Sequence, residues 1–576
     1  MILFLIQAFV IYLSLFSFSV FLKAKIISSR YYGLNINETN LIVIIFLSYL
    51  SFFLNFLFPI NQIIIFITFF IILISAVYLF NKKKLLKKYL FKSLIITFFT
   101  FIFLIYSYPS DDAASYHLPY SAIINQDKIS FGLVNLHKRF GWISISQYLE
   151  SLFYIEFINP YLILTPKIFF YFIFLFNYFS FLRKKTNFKD FPLSYCLCIQ
   201  LIIISIIKFS GYHGWDNDMM PIQISFYIIF LLIQIYEKRN NKEFIVNNKN
   251  KYIFLFIILS IYLFTLKISY SLFALFFLFL IFFIRKYFKF KEINLFNYLL
   301  LLIPIFWLLK NFLISGCLIY PMENTCLDLQ WSASNSLNTT SNVNHVALEL
   351  KAWSMGWIDQ KEKNLPFLEY VKNFNWLKIW ASKHLLYILN GILIYISVIC
   401  FFIISLKFAI RNKSLKKNFF EKYFSFIKKN IFYFYIVLTT LFFIIFWFIN
   451  FPLLRYGFSY IYGFIILILN PIIYFYIKSI NIKKIAKILI TISLIILTTK
   501  NIIRANKDAK KGTNFFLIEM FNNEINKREI GKKIYIYYPK KSVCFYSQAP
   551  CTHFASNKKR LRAEYIKGYK LYYESN

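Results

Sequence analysis

The chain has 576 residues, 59% of them hydrophobic and 22% aromatic, with a formal net charge of +40 and a mean hydropathy of +0.59. Soluble domains sit near half apolar, so this composition excludes an ordinary soluble globule and predicts an all-α polytopic membrane protein. The charge does not point to a nucleic-acid partner, because the basic residues gather in short loops between apolar runs. These are "NKKKLLKK" (81–88), "RKKTNFKD" (183–190), "EKRNNKEFIVNNKNK" (237–251), "RKYFKFK" (285–291) and "KSINIKKIAK" (478–487), the pattern of cytoplasmic topology anchors.

About fourteen apolar runs, with a range of roughly 12–14, are long enough to span a bilayer. The first, 2–22, lacks a basic start and a small-residue cleavage site, and is read as a retained span rather than a signal peptide. Spans near 40–59, 62–80 and 89–107 follow, and the last runs directly into "YPSDDAASYHLPY" (108–120). Asp111 and Asp112 therefore stand at the mouth of a membrane helix. Capping by Ser110 or Asp111 of a short helix that starts at Asp112 explains one polar residue. It does not explain a second carboxylate at a hydrocarbon boundary, where an ionised group is costly. A carboxylate there can act as a general base or bind a cation.

The same loop continues with "NLHKRFGWISISQYLESLF" (135–153). His137, Lys138, Arg139 and Trp142 could hold a phosphate and stack on a sugar or acyl chain; an amphipathic helix lying in the interface is the plainer reading. After spans near 161–182 and 192–209 comes "SGYHGWDNDMMP" (210–221), with His213, Trp215, Asp216 and Asp218 in one short loop. With Asp111, Asp112 and His117 at the same expected depth, this predicts a convergent acidic site. A metal held by some of Asp112, His117, His213, Asp216 and Asp218 is an open alternative. Oxygen-rich ligands favour Mg or Mn over Zn, and no other cofactor is implied.

Spans near 219–236, 252–266, 268–285 and 297–314 carry two isolated cations. Lys267, in "FTLKISYS", is either a hairpin tip or an intramembrane charge, and Lys310 sits at the outer end of "WLLKNFLISG". Spans near 385–406, 431–449, 459–477 and 484–499 follow the long loop 315–384. Arg455, in "NFPLLRYGFSY", lies in a short loop otherwise devoid of positive charge. Snorkelling to headgroups explains such cations plainly; a phosphate clamp explains them functionally, because the planar guanidinium grips phosphate oxygens in pairs.

Alternation of the basic loops places 108–160, 210–218, 315–384, 450–458 and the tail 500–576 on the extracytoplasmic side of the membrane. Of seven cysteines, Cys317 and Cys326 share one such loop and Cys544 and Cys551 share the tail. Two disulfides, Cys317–Cys326 and Cys544–Cys551, are expected in that compartment. A zinc site is the alternative, without tight spacing or a second ligand pair nearby to favour it. The tail pairs an expected helix, "FFLIEMFNNEI", with an expected strand, "KKIYIYYP", as a small α/β appendage to the membrane domain of residues 1–499.

This layout resembles the GT-C class of integral-membrane glycosyltransferases. "PSDDAASYHLPY" with "LKNFLISGCLIYP" is also similar to an uncharacterised bacterial membrane-protein family grouped with that class. The resemblance implies a GT-C-like fold and transfer of a sugar from a polyprenyl phosphate to a glycan, lipid or protein acceptor at the outer face. It implies a base at Asp111 or Asp112 and a lipid-phosphate cation at Arg455. The sequence departs from the class in having three extra spans before the acidic loop. An O-antigen polymerase or ligase is the nearest alternative, and a lipid-linked oligosaccharide flippase is an alternative of another kind. The acidic loops count against the first. Charges gathered at one face, without a visible repeat, count against the second.

Overall fold

The computed structural model describes residues 1–27, 33–107, 109–209, 217–287, 295–333, 342–357, 366–408, 425–426, 428, 430–477, 482–510, 524–540, 543–553 and 560–575. His213, Trp215, Asp216 and most of the expected tail helix lie outside these residues. Among the described residues, 13 helices are long and apolar enough to cross a membrane. They are Ile2–Lys25, Ile36–Leu57, Gln62–Phe80, Pro160–Arg183, Pro192–Phe209, Met219–Lys238, Lys242–Leu266, Ile268–Tyr287, Asn297–Ser315, Leu377–Ser405, Ile431–Asn450, Leu454–Phe475 and Ile488–Ala509. The remaining expected span forms a helix of 22 residues, Lys83–Leu104. It falls outside the thirteen because its first half carries lysines at 83, 84, 87, 88 and 92. The Leu377–Ser405 helix begins some eight residues before the expected boundary, and the last helix runs ten residues past its own.

The Met219–Lys238 helix is enclosed by protein from Met219 to Tyr236, and Pro160–Arg183 and Pro192–Phe209 pack against it. Several polar groups inside this centre pair with one another, as a low-dielectric interior favours. Gln223 Nε2 donates to Ser205 Oγ at 3.0 Å, Tyr395 Oη to Gln200 Oε1 at 3.0 Å, and Gln200 Nε2 to Asn470 Oδ1 at 3.2 Å. The Gln62–Phe80, Leu377–Ser405 and Ile431–Asn450 helices are peripheral and leave most of their apolar surface uncovered by protein, as lipid-facing helices do.

The two ends of the bundle differ in chemistry. At the basic end, Glu38 pairs with Lys251 at 2.9 Å and Lys238 with Asp190 at 3.4 Å. The opposite end collects every expected outer segment among the described residues. Ile60 N–H donates to Ile124 O at 2.9 Å, Gly132 N–H to Leu313 O at 3.0 Å, and Trp380 Nε1–H to Pro452 O. This end is called the site end below.

The 133–153 stretch is not an interfacial amphipathic helix. It folds as two short turns, Leu133–Asn135 and Lys138–Trp142, and a helix, Ile145–Leu152, all eight of whose residues are buried. Its polar residues are met by protein rather than water: Ser151 Oγ donates to Gln147 O at 2.8 Å, and Glu150 pairs with Lys167. The tail forms two antiparallel hairpins, β1 (Ile525–Gly531) with β2 (Ile534–Pro539) and β3 (Leu561–Ile566) with β4 (Tyr569–Glu574). The expected strand is β2. β4 docks on the first large loop, with Phe131 N–H donating to Lys570 O at 2.8 Å and Tyr572 N–H to Phe131 O at 3.0 Å. Lys570 also pairs with Asp127 at 2.7 Å. Cys317–Cys326 and Cys544–Cys551 are both bonded, with Cα atoms 3.8 and 5.9 Å apart, and both lie at the site end.

Candidate functional site

The site grows from the helix that opens at Asp111. Ser110 Oγ accepts from Ala113 N–H at 3.3 Å, so the serine caps the helix and both aspartates occupy its first turn. Two adjacent positions on a helix point about 100° apart, and the two carboxylates accordingly meet different surroundings. Asp111 is exposed, with no hydrogen bond or ion pair among the described residues. Asp112 is half-buried and gripped on both oxygens: Arg139 Nη1 donates to Oδ1 at 2.5 Å and Arg455 Nη1 to Oδ2 at 2.9 Å. Burial alone would raise the Asp112 carboxyl, but the Arg139 and Arg455 guanidiniums outweigh it and hold the group below its ordinary range.

Lys267 is a hairpin tip, the single extended residue between the Lys242–Leu266 helix and the turn Ile268–Leu275. Its ammonium pairs with Asp218, at the head of the Met219–Lys238 helix, and lies 4.2 Å from the Tyr456 ring centroid. Burial pushes the Asp218 carboxyl up, and the cations Lys267 and Arg455 bring it below its ordinary value. Arg455 thus faces Asp112 and Asp218 together. Its guanidinium stands 4.9 Å from the Trp353 ring and 5.1 Å from that of Tyr456. Its Nη2 donates to Tyr456 Oη at 3.2 Å, while its buried Nε–H has no hydrogen-bond partner among the described residues.

These side chains wall a cleft of about 60 Å³, lined by Tyr116, Lys138, Arg139, Trp142, Val346, Glu349, Leu350, Trp353, Arg455 and Tyr456. Lys138 pairs with Glu349 across it. Trp142 stacks on Tyr320 with centroids 5.6 Å apart, so the Cys317–Cys326 loop buttresses one aromatic wall. Four aromatic rings and three cations around one opening suit a ligand that is part anion and part apolar or sugar-like.

Beneath Asp112 lies a second polar layer. Lys167 pairs with Glu150 in near-complete burial and also donates to Asn217 Oδ1. Ser146 Oγ donates to that same oxygen at 3.0 Å. With its carbonyl so occupied, Asn217 turns its amide towards the His117 ring, 3.0 Å from Nδ1; Gln147 Nε2 stands 2.7 Å from the same nitrogen. Burial, helped by Lys167, pushes His117 from 6.5 down to about 3, so its imidazole is neutral at physiological pH.

The structure therefore brings Asp111, Asp112, Arg139, Trp142, Arg455, Lys267, Asp218 and His117 to one end and one neighbourhood. His137 does not reach the cleft as a phosphate ligand. It is buried, and its Nδ1 accepts from Arg139 N–H at 3.1 Å, capping the turn that carries Arg139. Lys310 is fully buried, 3.8 Å from the Trp307 ring, and is not among the cleft residues. Among the described residues no group of three His, Cys, Asp or Glu side chains is placed to hold a metal, and the carboxylates of Asp112 and Asp218 already face cations. Sequence reasoning missed Tyr116, Glu349, Trp353, Tyr456 and the Glu150–Lys167–Asn217 layer. Lys167 and Glu150 carried a readable signal, the same isolated charge in apolar context that singled out Lys267 and Arg455.

A bundle of at least thirteen apolar helices with a charged, aromatic cleft at one end defines a polytopic helical membrane protein. Within that class, residues 1–462 match the family described as a domain of unknown function (DUF8201), and the chain belongs to that family. The match takes in every cleft residue and ends before the β hairpins. No curated protein and no solved structure matches the chain.

Proposed function

We propose that the protein is a GT-C-like membrane glycosyltransferase of the bacterial cytoplasmic membrane, with its cleft on the outer face. The donor is a sugar on a polyprenyl phosphate, and the acceptor is a glycan, lipid or protein hydroxyl. The observation that carries this reading is the Arg139–Asp112–Arg455 arrangement beside Asp111, whose carboxylate has no partner among the described residues. Asp112 pre-positions two guanidiniums, and Arg455 retains a buried Nε–H with no partner among the described residues. In the reaction the acceptor oxygen attacks the anomeric carbon, and Asp111 takes the hydroxyl proton. The bond from the anomeric carbon to the phosphate oxygen breaks, and the lipid phosphate leaves with the electron pair. Its gain of charge is met by Arg455 and Arg139. Tyr116, Trp142 and Trp353 offer faces on which a sugar ring or isoprenoid unit can stack, and Lys267 holds Asp218 and Tyr456 in place behind Arg455.

The test is donor binding by the purified protein in lipid. Arg455→Ala should weaken affinity for a polyprenyl-phosphate sugar by about tenfold or more, the scale of a charge-assisted phosphate contact. Lys310→Met, away from the cleft, should change it by less than about threefold. Equal effects of the two, or none from Arg455→Ala, would refute the phosphate-clamp reading.

A further inference from the structure

The helix that carries Asp111 and Asp112 has a defect built into its sequence. Over Ala113–His117 it widens, and Leu118 N–H donates to Ala113 O, five residues back, rather than to Ala114 O. The next amide in that series would belong to residue 119, which is proline and has no N–H. The Ala114 carbonyl, buried two residues after Asp112, is thereby left without its helical donor. It is satisfied from far along the chain: Phe545 N–H donates to Ala114 O at 2.9 Å.

Phe545 belongs to the loop closed by Cys544–Cys551. The loop follows the same helix to its end. Tyr546 Oη donates to Asn125 Oδ1 at 2.9 Å, and its ring stacks on Tyr154 at 3.9 Å. Ala549 N–H donates to Gln126 Oε1 at 2.8 Å, and Gln126 Nε2 to Ser547 O at 3.3 Å. The loop is in turn fixed to β2 by Tyr537 N–H to Pro550 O at 2.9 Å and Thr552 N–H to Tyr537 O at 3.0 Å. A seven-residue separation between the cysteines leaves the closed loop few conformations.

We propose that the disulfide loop of the tail is a positioning clamp for the carboxylate helix. Phe545, through its backbone N–H, supplies the hydrogen bond that Pro119 withholds, and the Cys544–Cys551 bond keeps that N–H in place. The competence of the cleft then depends on oxidation of a bond in a segment outside the family match. Phe545 is a positioning residue: it touches no substrate and acts through the backbone of Ala114 on the direction of Asp111 and Asp112. The kinetic part of this proposal rests on the glycosyl-transfer reading; the structural part does not.

The experiment uses the full chain in lipid and the variant Cys544→Ala/Cys551→Ala, with Cys317→Ala/Cys326→Ala as the control. Hydrogen exchange of the amides at 115–126 should rise about tenfold or more in the first variant and stay within about twofold in the control. Transfer should show a fall in kcat of about tenfold with donor KM nearly unchanged, because positioning of the base rather than donor binding is lost. Adding Pro119→Ala restores the missing amide and should return protection at 115–126 even without the disulfide. Unchanged exchange at 115–126 in the tail variant, or failure of Pro119→Ala to restore it, would overturn the clamp. Raised exchange with an unaffected kcat would overturn its role at the site. An inactive wild-type protein would instead overturn the glycosyl-transfer reading, while the exchange comparison still decides the clamp.

Discussion

At the residue scale the two neighbouring aspartates are not interchangeable, and their surroundings say how each responds to change. The depressed Asp112 carboxyl contributes stability that is present above its ordinary value of 3.8 and is lost as pH falls through its lower folded value. His117 works in the same direction. Its folded value of about 3 against an ordinary 6.5 means the unfolded chain takes up a proton first, so acid weakens the fold progressively below about pH 6.5. Thermal unfolding in detergent should therefore show a flat melting temperature above neutrality and a decline towards pH 4. His117→Gln should flatten the upper part of that decline; an identical slope in the variant would show that His117 titrates normally. Asp112→Ala leaves two half-buried guanidiniums facing each other and should destabilise the protein by about 2 kcal/mol, whereas exposed Asp111→Ala should change stability by less than about 0.5 kcal/mol. At this scale isolated charges were legible in the sequence: Asp112, Arg455, Lys267 and Asp218 stood out against apolar context and share one cluster. The aromatic walls were not. In a chain with 44 tyrosines, 74 phenylalanines and 9 tryptophans, Trp353 and Tyr456 carry no local mark, and only tertiary packing selects them.

At the scale of elements, the apolar runs fix the helices and leave their ends open. The helix entering the site from Leu377 starts early because "LKIWASKH" continues the helical pattern through lysines that a hydropathy reading treats as loop. The buried Ile145–Leu152 helix was misread for the converse reason. Gln147, Glu150 and the serines look solvent-facing in sequence, but Lys167, Ser121 and Asn125 meet them in the interior. Turn chemistry at the site can be tested directly. Gly316 ends the Leu302–Ser315 helix at φ +77°, and a Cβ there would lie 2.5 Å from Ser332 Oγ. Gly316→Ala should cost about 1–3 kcal/mol through strain and this clash and loosen the Cys317–Cys326 loop that supports Trp142. A melting temperature equal to wild type would show that the loop adapts freely. Ser110→Ala removes the cap of the carboxylate helix and should cost about 1 kcal/mol.

For the whole molecule, the separation of the two ends organises everything else. Among the described residues, loops that alternate in basic charge along the sequence also separate in space, and the cleft, both disulfides and the hairpins fall at one end. If that end faces outward, a membrane-impermeant thiol reagent applied to intact cells after reduction should label Cys326, which is partly exposed, and labelling only in opened membranes would invert the topology. The docking of the tail was the least legible feature at this scale. Its contacts join residues some 420 positions apart, such as Tyr546 with Asn125, and composition alone shows no such pairing.

In the proposed reaction Asp111 is the base of a glycosyl transfer whose donor is held by Arg455 and Arg139. Its most direct test is transfer from a polyprenyl-phosphate sugar in proteoliposomes, measured for wild type and Asp111→Asn together with donor affinity. Wild type should transfer, Asp111→Asn should lose about 100-fold or more in rate, and its donor affinity should stay within about threefold, since the lost contact acts mainly in the transition state. Transfer by Asp111→Asn at the wild-type rate would contradict the assignment of the base, and absence of transfer by the wild type with any polyprenyl-phosphate sugar would rule out glycosyl transfer as the function of this cleft.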